Sequence, residues 1–275
     1  MADVANTMRE AARMLDGVSD TPRLDVELLM ADALGVTRSQ MLISYQDVQA
    51  PAQFAQHLNR RMQSEPVAYI LGKAEFFGRE FAVAPDVLIP RDDSEVLIET
   101  ALELAPSAKR VLDLGTGSGA LLISAVLELP DASGIATDAS QPALNVARAN
   151  AERLGLSGDE AEFHHKSWRQ DDWAHGFGQF DLILCNPPYV EADAALDPDV
   201  RDFEPAEALF AGPDGLDDYR IIIPQLRELM NDNAIAIFEI GHTQAEAVTE
   251  IAKSGGFETE TRKDLANRPR CVILR

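Results

Sequence analysis

The chain reads Arg110-Val111-Leu112-Asp113-Leu114-Gly115-Thr116-Gly117-Ser118-Gly119-Ala120 at the point that decides its fold. The short apolar run predicts a buried β-strand, and the glycines ahead of the apolar residues 121–126 predict a tight turn that opens a helix. The first N–H groups of such a helix have no partners within it, so the turn can offer them to a ligand. A strand, a glycine-rich turn and a helix in this order predict a nucleotide-type cofactor site.

Two acidic residues help to choose the cofactor, because the glycine spacing fits both NAD and S-adenosylmethionine (AdoMet). Asp113 lies just before the first glycine, where a carboxylate would crowd a pyrophosphate but can pair with the cationic end of AdoMet, directly or through water. Asp138 closes the next strand-like run, at a spacing that suits the ribose hydroxyls of either cofactor. Each acid could instead cap the following helix. Their occurrence together with the glycine turn favours the cofactor interpretation.

The tetrapeptide Asn186-Pro187-Pro188-Tyr189 follows the apolar run 180–185. The Asn186 carboxamide oxygen and the Pro187 carbonyl can each accept one hydrogen of an NH2 group, and both prolines restrict φ so that these acceptors stay in place. The Tyr189 ring offers a face to a planar group. The pattern predicts a site for a planar amide or amine, although Asn-Pro and Pro-Pro also occur in ordinary turns. Together with Asp113 it favours AdoMet over NAD.

The rest of the chain predicts two structural units. Strand-like segments near residues 109–114, 133–138, 160–165, 180–185, 234–240, 257–262 and 270–275 alternate with helical ones. This alternation predicts an α/β fold with a doubly wound, mostly parallel seven-stranded sheet. Ahead of it, residues 74–83 predict a β-hairpin turning near 78–79, followed by a helix over 93–104. We assign residues 1–72 to a small all-α domain, 73–91 to a β-hairpin linker and 92–275 to a catalytic domain.

The N-terminal segment predicts a small helical bundle with a first helix near residues 4–15. A second helix is expected to begin with Thr21 as N-cap and Pro22 in the first turn, and to end at Gly35. Another helix starts near Pro51. Their apolar residues are expected to form the core of the bundle itself: Leu24, Leu28, Leu29 and Leu34 in the second helix, and Phe54, Leu58 and Met62 in the third.

Composition argues against several functional classes. The net charge of −22 disfavours direct nucleic-acid binding, which requires a basic surface. Cys185 and Cys271 lie in apolar runs and are interpreted as buried residues in a reducing compartment. The spacing of the histidines at 164, 165 and 175, without a nearby cysteine, does not indicate a metal site. The N terminus shows no secretory signal, and no stretch approaches the roughly 20 apolar residues of a membrane span, so we expect a cytoplasmic protein.

These motifs resemble those of class I AdoMet-dependent methyltransferases and, more narrowly, of HemK/PrmC-type peptide chain release factor glutamine methyltransferases. The narrower resemblance rests on four further segments: Leu88-Ile89-Pro90-Arg91 with Ser94-Glu95, Val200-Arg201-Asp202-Phe203-Glu204-Pro205 with Ala208-Leu209, Gly212-Pro213-Asp214-Gly215-Leu216, and Glu239-Ile240-Gly241. It extends from about residue 63 to the C terminus, and weakly through the helical segment. Asp92 stands where the family pattern has proline or glycine, which could alter the stiffness of the linker.

The resemblance implies methyl transfer from AdoMet to the side-chain amide nitrogen of the glutamine in the Gly-Gly-Gln motif of class 1 peptide chain release factors. It also implies antiparallel final strands, a Rossmann-like class I methyltransferase fold, contacts between the helical domain and the release factor, and a monomer. Glu204 is expected to shape the acceptor pocket. The expected catalytic residues are Asn186, Pro187 and Tyr189, and Pro188 joins them in substrate binding. The expected cofactor-binding residues are Asp113, Gly115, Thr116, Gly117, Ser118, Gly119, Asp138, Trp168 and Asn186.

Two alternatives remain at this point. An adenine-N6 methyltransferase would present the same Asn-Pro-Pro-Tyr acceptors to the exocyclic amine of a flipped base. It would also need a basic surface and a target-recognition domain, and neither is visible in the sequence. A non-catalytic or dehydrogenase-like Rossmann domain is disfavoured by Asp113 and by the tetrapeptide itself. Paired acids at 171–172 and 217–218 are interpreted as solvated loop charges or helix N-terminal residues.

Overall fold

A computed structural model describes residues 3–45, 47–264 and 266–275. The chain divides into two compact units. The helical unit comprises the residues up to Lys73 together with Leu196–Phe203, and the sheet unit comprises Ala74–Ala195 and Glu204–Arg275. The predicted N-terminal domain 1–72 includes residues 1, 2 and 46, which lie outside the described residues.

The sheet unit contains a two-stranded sheet and a seven-stranded sheet. The small sheet is the predicted hairpin, formed by β1 (Lys73–Phe76) and β2 (Arg79–Ala82). The strands of the large sheet are β3 (Arg110–Leu114), β4 (Ser133–Asp138), β5 (Ala161–His165), β6 (Phe180–Cys185), β7 (Met230–Glu239), β8 (Thr259–Lys263) and β9 (Pro269–Leu274). The order across the large sheet is β5-β4-β3-β6-β7-β9-β8. Strands β3 to β7 pair in parallel, whereas β9 is antiparallel to both of its neighbours.

The strand order places a ligand-binding crevice between β3 and β6. These two strands are neighbours, although β4 and β5 lie between them in the chain, so the direction of winding reverses here. In open α/β sheets, ligands bind outside the carboxyl ends of the strands at such a point. Leu114 pairs with Cys185 at those ends, and the glycine turn and Asn186 therefore leave the sheet from adjacent strands.

Helices cover both faces of the large sheet. Their bounds are α6 (Glu95–Leu104), α7 (Ala120–Glu128), α8 (Gln141–Arg153), α10 (Asp217–Ile222) and α11 (Ala245–Ser254), with 3-10 segments at Asp92–Ser94, Ala206–Ala208 and Ile223–Glu228. The alternation along β6 divides the core: Leu182 and Leu184 join one cluster, and Ile183 and Cys185 join the other. Cys185 is fully buried, as predicted, and this burial raises the pKa of its thiol.

The large sheet agrees with the predicted strands except at the start of β7. This strand begins at Met230, four positions before the predicted residue 234. Pairing with β6 shifts register between Phe180 and Leu182, and Asn233 has φ of +80°. The irregular pairing accommodates polar residues that the hydrophobic pattern could not assign to a strand.

The helical unit contains α1 (Val4–Met14), α2 (Pro22–Leu34), α3 (Arg38–Ser44), α4 (Ala52–Arg61) and α5 (Val67–Leu71), together with α9 (Pro198–Phe203). Thr21 is the N-cap residue of α2 and Pro22 begins the helix, as predicted, although the Thr21 side chain makes no capping bond and instead donates to Asp25. Two predictions about single residues were wrong. Leu24 lies off the buried stripe of α2 and Met62 follows the last residue of α4, and both are exposed.

Candidate cofactor and acceptor site

The glycine-rich turn leaves β3 with a backbone that only glycine adopts easily. Gly119 has φ of +85°, and a Cβ atom there would lie 2.7 Å from the Ile123 Cδ1 atom and 3.2 Å from the Ala147 Cβ atom. Both the conformation and the close packing therefore exclude a side chain. The turn is tied to β4 because the N–H groups of Gly115 and Thr116 donate to the Thr137 carbonyl.

Asp113 lies fully buried at the end of β3. Its Oδ2 atom accepts hydrogen bonds from the Thr116 hydroxyl at 2.6 Å and from the Leu122 N–H at 3.3 Å. Its Oδ1 atom has no hydrogen-bond partner among the described residues. Burial raises the pKa of Asp113 to about 7. A cation at Oδ1 would satisfy this oxygen and favour the ionised form, as the cationic end of AdoMet requires.

Asp113 also accepts from a backbone N–H group in the first turn of α7. The alternative that it caps the following helix is therefore correct in part. Asp138 is different, because α8 is capped by Ser140, whose hydroxyl oxygen accepts from the Ala143 N–H. The two Asp138 oxygens accept from the N–H groups of Gly117 and Ser140, each at 2.8 Å. Each oxygen retains a lone pair, and burial raises the pKa of this carboxyl. Asp138 is therefore held at the turn with acceptors still to offer.

Trp168, in the loop after β5, lies directly over the glycine turn. A Cβ atom on Gly115 would lie 3.1 Å from its Cη2 atom and 3.3 Å from its Cζ3 atom. Its indole N–H donates to Asp218. Ser118, at the other end of the turn, is buried, and its carbonyl accepts from the Asn150 side chain. The predicted cofactor residues are thus brought together at the ends of β3, β4 and β5.

Asn186 begins the loop after β6, beside the glycine turn. Its Nδ2 atom donates to the Ser94 hydroxyl at 3.5 Å, and its Oδ1 atom makes no hydrogen bond within the described residues. Pro187 is buried, and Pro188 and Tyr189 are half-buried. The Tyr189 carbonyl accepts from the Gln244 side chain at 2.9 Å, which fixes the end of the tetrapeptide. The segment therefore presents an amide oxygen from a restrained backbone.

The Tyr189 hydroxyl donates to Glu239 Oε1 at 3.1 Å. Glu239 is 1% exposed at the end of β7. Its Oε2 atom has no hydrogen bond of normal geometry among the described residues. Burial raises the pKa of Glu239, although the nearby Ser94 hydroxyl, the Tyr189 hydroxyl and the Arg270 guanidinium favour its ionised form. A buried carboxylate therefore sits behind the tetrapeptide.

A cavity of about 460 Å³ opens next to this carboxylate. It is lined by Pro90, Arg91, Asp92, Asp93, Tyr189, Glu239 and Arg270. Glu204 pairs with Arg91 and accepts from the Ile89 N–H at 3.3 Å, so it holds the segment that forms one wall. Burial raises the pKa of Tyr189, and the adjacent Glu239 carboxylate raises it further. The Tyr189 hydroxyl therefore stays protonated at neutral pH.

Comparison with known proteins shows which family has this sequence and this site. A family model described as the PrmC N-terminal domain matches residues 6–72, and one described as a methyltransferase small domain matches residues 92–203. The release factor glutamine methyltransferase of Caulobacter vibrioides is 37% identical over 95% of this chain and 92% of its own length. That of Geobacter sulfurreducens is 40% identical over 86% of this chain and 84% of its own.

The chain belongs to the release factor glutamine methyltransferase family. The predicted family and the predicted class I methyltransferase fold are both confirmed. A 16S rRNA N2-G1207 methyltransferase of Thermus thermophilus, solved with AdoMet and guanosine, superposes with a TM-score of 0.52 at 18% identity, over 74% of this chain and 49% of that one. That likeness shows the fold alone. Membership of the family implies AdoMet-dependent catalysis.

Three polar residues contribute to the site although the sequence did not indicate this. Asn150 is fully buried and bonds both to Ala82 in the hairpin and to Ser118 in the turn. Glu239 was noted only as part of a family segment. Asp218 lies at the start of α10, as predicted for the pair 217–218, but it is 1% exposed and contacts Trp168. A buried polar residue next to a motif is the signal that could have found them, and it depends on knowing burial.

The histidines were the remaining candidates for a metal site. His164 contacts Glu162 at 3.1 Å and the Phe177 ring, and no group of three potential metal ligands occurs in the described part of the chain. Among the same residues, no helix has the length and apolar content required to cross a membrane.

Proposed function

We propose that the protein transfers a methyl group from AdoMet to the side-chain amide nitrogen of the glutamine in the Gly-Gly-Gln motif of class 1 release factors. The observation that carries this proposal is the orientation of Asn186. Its Nδ2 atom is turned towards Ser94. This leaves Oδ1 to accept a hydrogen bond from the amide group of the substrate beside the glycine turn. The names of the relatives support the choice of substrate.

The residues around the glycine turn would hold the cofactor. Asp113 offers Oδ1 to a cation, Asp138 offers its remaining lone pairs to the ribose hydroxyls, and Trp168 offers its ring to the adenine. The backbone of residues 115–119 gives close access because glycine leaves space at Gly117, where a Cβ atom would meet nothing within 4 Å. When bound, AdoMet supplies an activated methyl group.

The residues of the Asn-Pro-Pro-Tyr segment would orient the glutamine amide nitrogen, which is a weak nucleophile. An amide nitrogen reacts poorly because its lone pair is delocalised into the carbonyl. Asn186 Oδ1 and the Pro187 carbonyl, each accepting one N–H of the glutamine amide, would fix the direction of the nitrogen and stabilise the positive charge that develops on it. Asn186 cannot act as a base, and the protonated Tyr189 hydroxyl is already committed to Glu239. Orientation and charge stabilisation are therefore the contributions of this chain. The nitrogen–methyl bond forms as the sulfur–methyl bond breaks, the thioether leaves neutral, and the methylated amide then loses its proton to water.

We also propose the division of labour along the chain. Residues 1–72 would recognise the release factor, 73–91 would link the units, and 92–275 would carry out the transfer. The separate matches of family models to residues 6–72 and 92–203 support this division. We further propose that the enzyme acts as a monomer in the cytoplasm, where class 1 release factors function in translation.

Mass spectrometry of a recombinant class 1 release factor, incubated with this protein and AdoMet, tests the proposal. We expect the gain of one methyl group on the Gly-Gly-Gln glutamine, and no gain with an Asn186→Ala variant that still folds. Methylation of adenine in DNA or RNA, with the release factor unmodified, would instead establish the alternative acceptor. A release factor with Gly-Gly-Glu in place of Gly-Gly-Gln is the matched substrate control.

A further inference from the structure

The Trp168 indole is held at both ends in the structure. At one end its Nε1 atom donates to Asp218 Oδ1 at 2.7 Å. At the other end, the far edge of the six-membered ring lies against the glycine turn, within 3.3 Å of the position that a Gly115 Cβ atom would occupy. The ring therefore extends from the start of α10 to the cofactor turn without a side chain between them.

Asp218 is buried in a way that a solvated helix-terminal acid would not be. It is 1% exposed, and a buried carboxylate is costly unless it is paired and hydrogen-bonded. Its Oδ1 atom also accepts from the Arg169 guanidinium at 2.7 Å. One oxygen thus contacts two successive residues of the loop after β5. The Gln225 side chain also donates to the Trp168 carbonyl, so Gln225 contacts the backbone of this loop while Asp218 contacts the indole itself.

We propose that Asp218 is a positioning residue for the cofactor site, which holds the Trp168 indole against Gly115 so that the adenine of AdoMet meets a wall that is already formed. A ring fixed before binding loses less conformational entropy on binding, and affinity rises accordingly. The inference rests on the proposed function, because it assumes that Trp168 faces AdoMet. It adds a residue that contacts neither the cofactor nor the acceptor.

The chain offers matched controls for this idea. Asp217 precedes Asp218 on the same helix, but it is only half-buried and pairs with Arg220 at 3.3 Å. Removing either acid changes the net charge equally, and only one change affects Trp168. The other tryptophan, Trp173, is buried and donates to Gln225. Since the chain has two tryptophans, Trp173→Phe leaves Trp168 as the sole indole fluorophore.

The experiment titrates the Trp173→Phe protein with S-adenosylhomocysteine and follows Trp168 emission. We expect Asp218→Ala to shift that emission to longer wavelength and to weaken binding about tenfold, because the indole must then be immobilised when the ligand binds. Asp218→Asn, which keeps an acceptor oxygen, should recover most of the affinity. Asp217→Ala should bind like the parent. In turnover assays KM for AdoMet should rise with kcat nearly unchanged.

A double-mutant cycle by calorimetry completes the test. Trp168→Phe keeps a ring but cannot donate to Asp218, so it should weaken binding, and Asp218→Ala should then add little. If Asp218→Ala does not fold, Trp168→Phe alone decides, because it leaves the Asp218–Arg169 pair intact. Unchanged affinity in Asp218→Ala, or in Trp168→Phe in that case, overturns the inference and leaves the proposed function standing. A parent protein that does not bind S-adenosylhomocysteine overturns both.

Discussion

The two halves of the site, at the carboxyl ends of β3–β4 and of β6–β7, are built in different ways. The two carboxylates of the proposed cofactor half lie in one stretch, residues 113–138, and accept mainly from backbone N–H groups. The proposed acceptor half combines three segments that are far apart in the chain and meet through the side chains of Ser94, Asn186, Tyr189 and Glu239. The first arrangement depends on local backbone conformation, whereas the second depends on the whole sheet being assembled.

This difference predicts different responses to substitution. Backbone N–H groups remain when a side chain is changed. Substitution of one carboxylate in the cofactor half should therefore weaken cofactor binding without abolishing it. In the acceptor half each side chain is the partner of another, so changes there should be coupled to each other and should mainly affect the rate of transfer.

The largest expected effect is that of Asn186→Ala. In the proposed mechanism it removes the amide oxygen that stabilises charge developing during transfer, and groups of this kind contribute about 100-fold or more to kcat. S-adenosylhomocysteine affinity should change far less than kcat, because the cofactor half keeps its contacts. Single-turnover kinetics and calorimetry on the same preparation measure both quantities. A loss of affinity equal to the loss of rate would contradict the separation of the two halves.

Asp138→Ala should weaken S-adenosylhomocysteine binding by about 10- to 100-fold, because it removes two charged hydrogen-bond acceptors from the glycine turn. Ser140→Ala is the matched control. It removes the α8 cap and should lower the free energy of unfolding by about 1 kcal/mol while affinity stays near that of the wild type. Calorimetry and denaturant unfolding distinguish the two variants. Equal affinities would mean that the Asp138 oxygens serve the turn only.

Tyr189→Phe should lower kcat about tenfold, because it removes a donor from the buried Glu239 carboxylate and frees the ring that faces the acceptor. Glu239→Gln should have a similar effect. The double variant should be little worse than either single variant, since the two side chains act through one hydrogen bond. Full additivity of the two losses would show that the residues act independently.

The smallest expected effect concerns pH. Burial raises the pKa of Asp113 to about 7, so below this pH the carboxyl is mainly protonated. A bound cation favours the ionised form, and binding then releases a proton. AdoMet affinity should therefore rise a few-fold from pH 6 to about pH 7 and level off above it. Asp113→Asn should remove this dependence, and calorimetry in buffers of different ionisation enthalpy measures the released proton.

The same carboxyl affects stability with the opposite sign. Its pKa in the folded protein lies above its value in the unfolded chain, so the folded state binds more protons between about pH 4 and pH 7. Its contribution to the free energy of unfolding therefore falls across this interval and is constant above it. Bound AdoMet should reduce this fall, because the cation at Oδ1 compensates the buried charge.

The sequence predicted where the candidate cofactor carboxylates lie. Asp113 and Asp138 occupy strand ends, as does Asn186 in the acceptor half, where the alternation of strands and helices placed them, because parallel strands end at one edge of a sheet. The partners of the acceptor half could not be predicted in this way. The Tyr189–Glu239 hydrogen bond joins the loop after β6 to the end of β7, and hydrophobic periodicity carries no information on such a pairing.

Burial was the other quantity that the sequence did not supply. Asp218 and Asp217 are adjacent acids in one helical turn, yet the first is buried against Trp168 and the second is half-buried and pairs with Arg220. Leu24 is apolar and exposed, although a helical stripe was expected to include it. In each case the outcome depends on which neighbouring element covers the residue, and that is a property of tertiary packing.

Asn150 bonds to two segments at once, the hairpin and the glycine turn. Its amide donates to the carbonyls of Ala82 and Ser118, and its oxygen accepts from the Ala82 N–H. Opening of the hairpin breaks the Ala82 bonds and so removes part of the support of the Asn150 side chain that contacts the turn. A ligand that stabilises the turn should therefore slow hydrogen exchange at the Ala82 amide, although it binds elsewhere. Exchange protection in the hairpin thus becomes a report on cofactor occupancy.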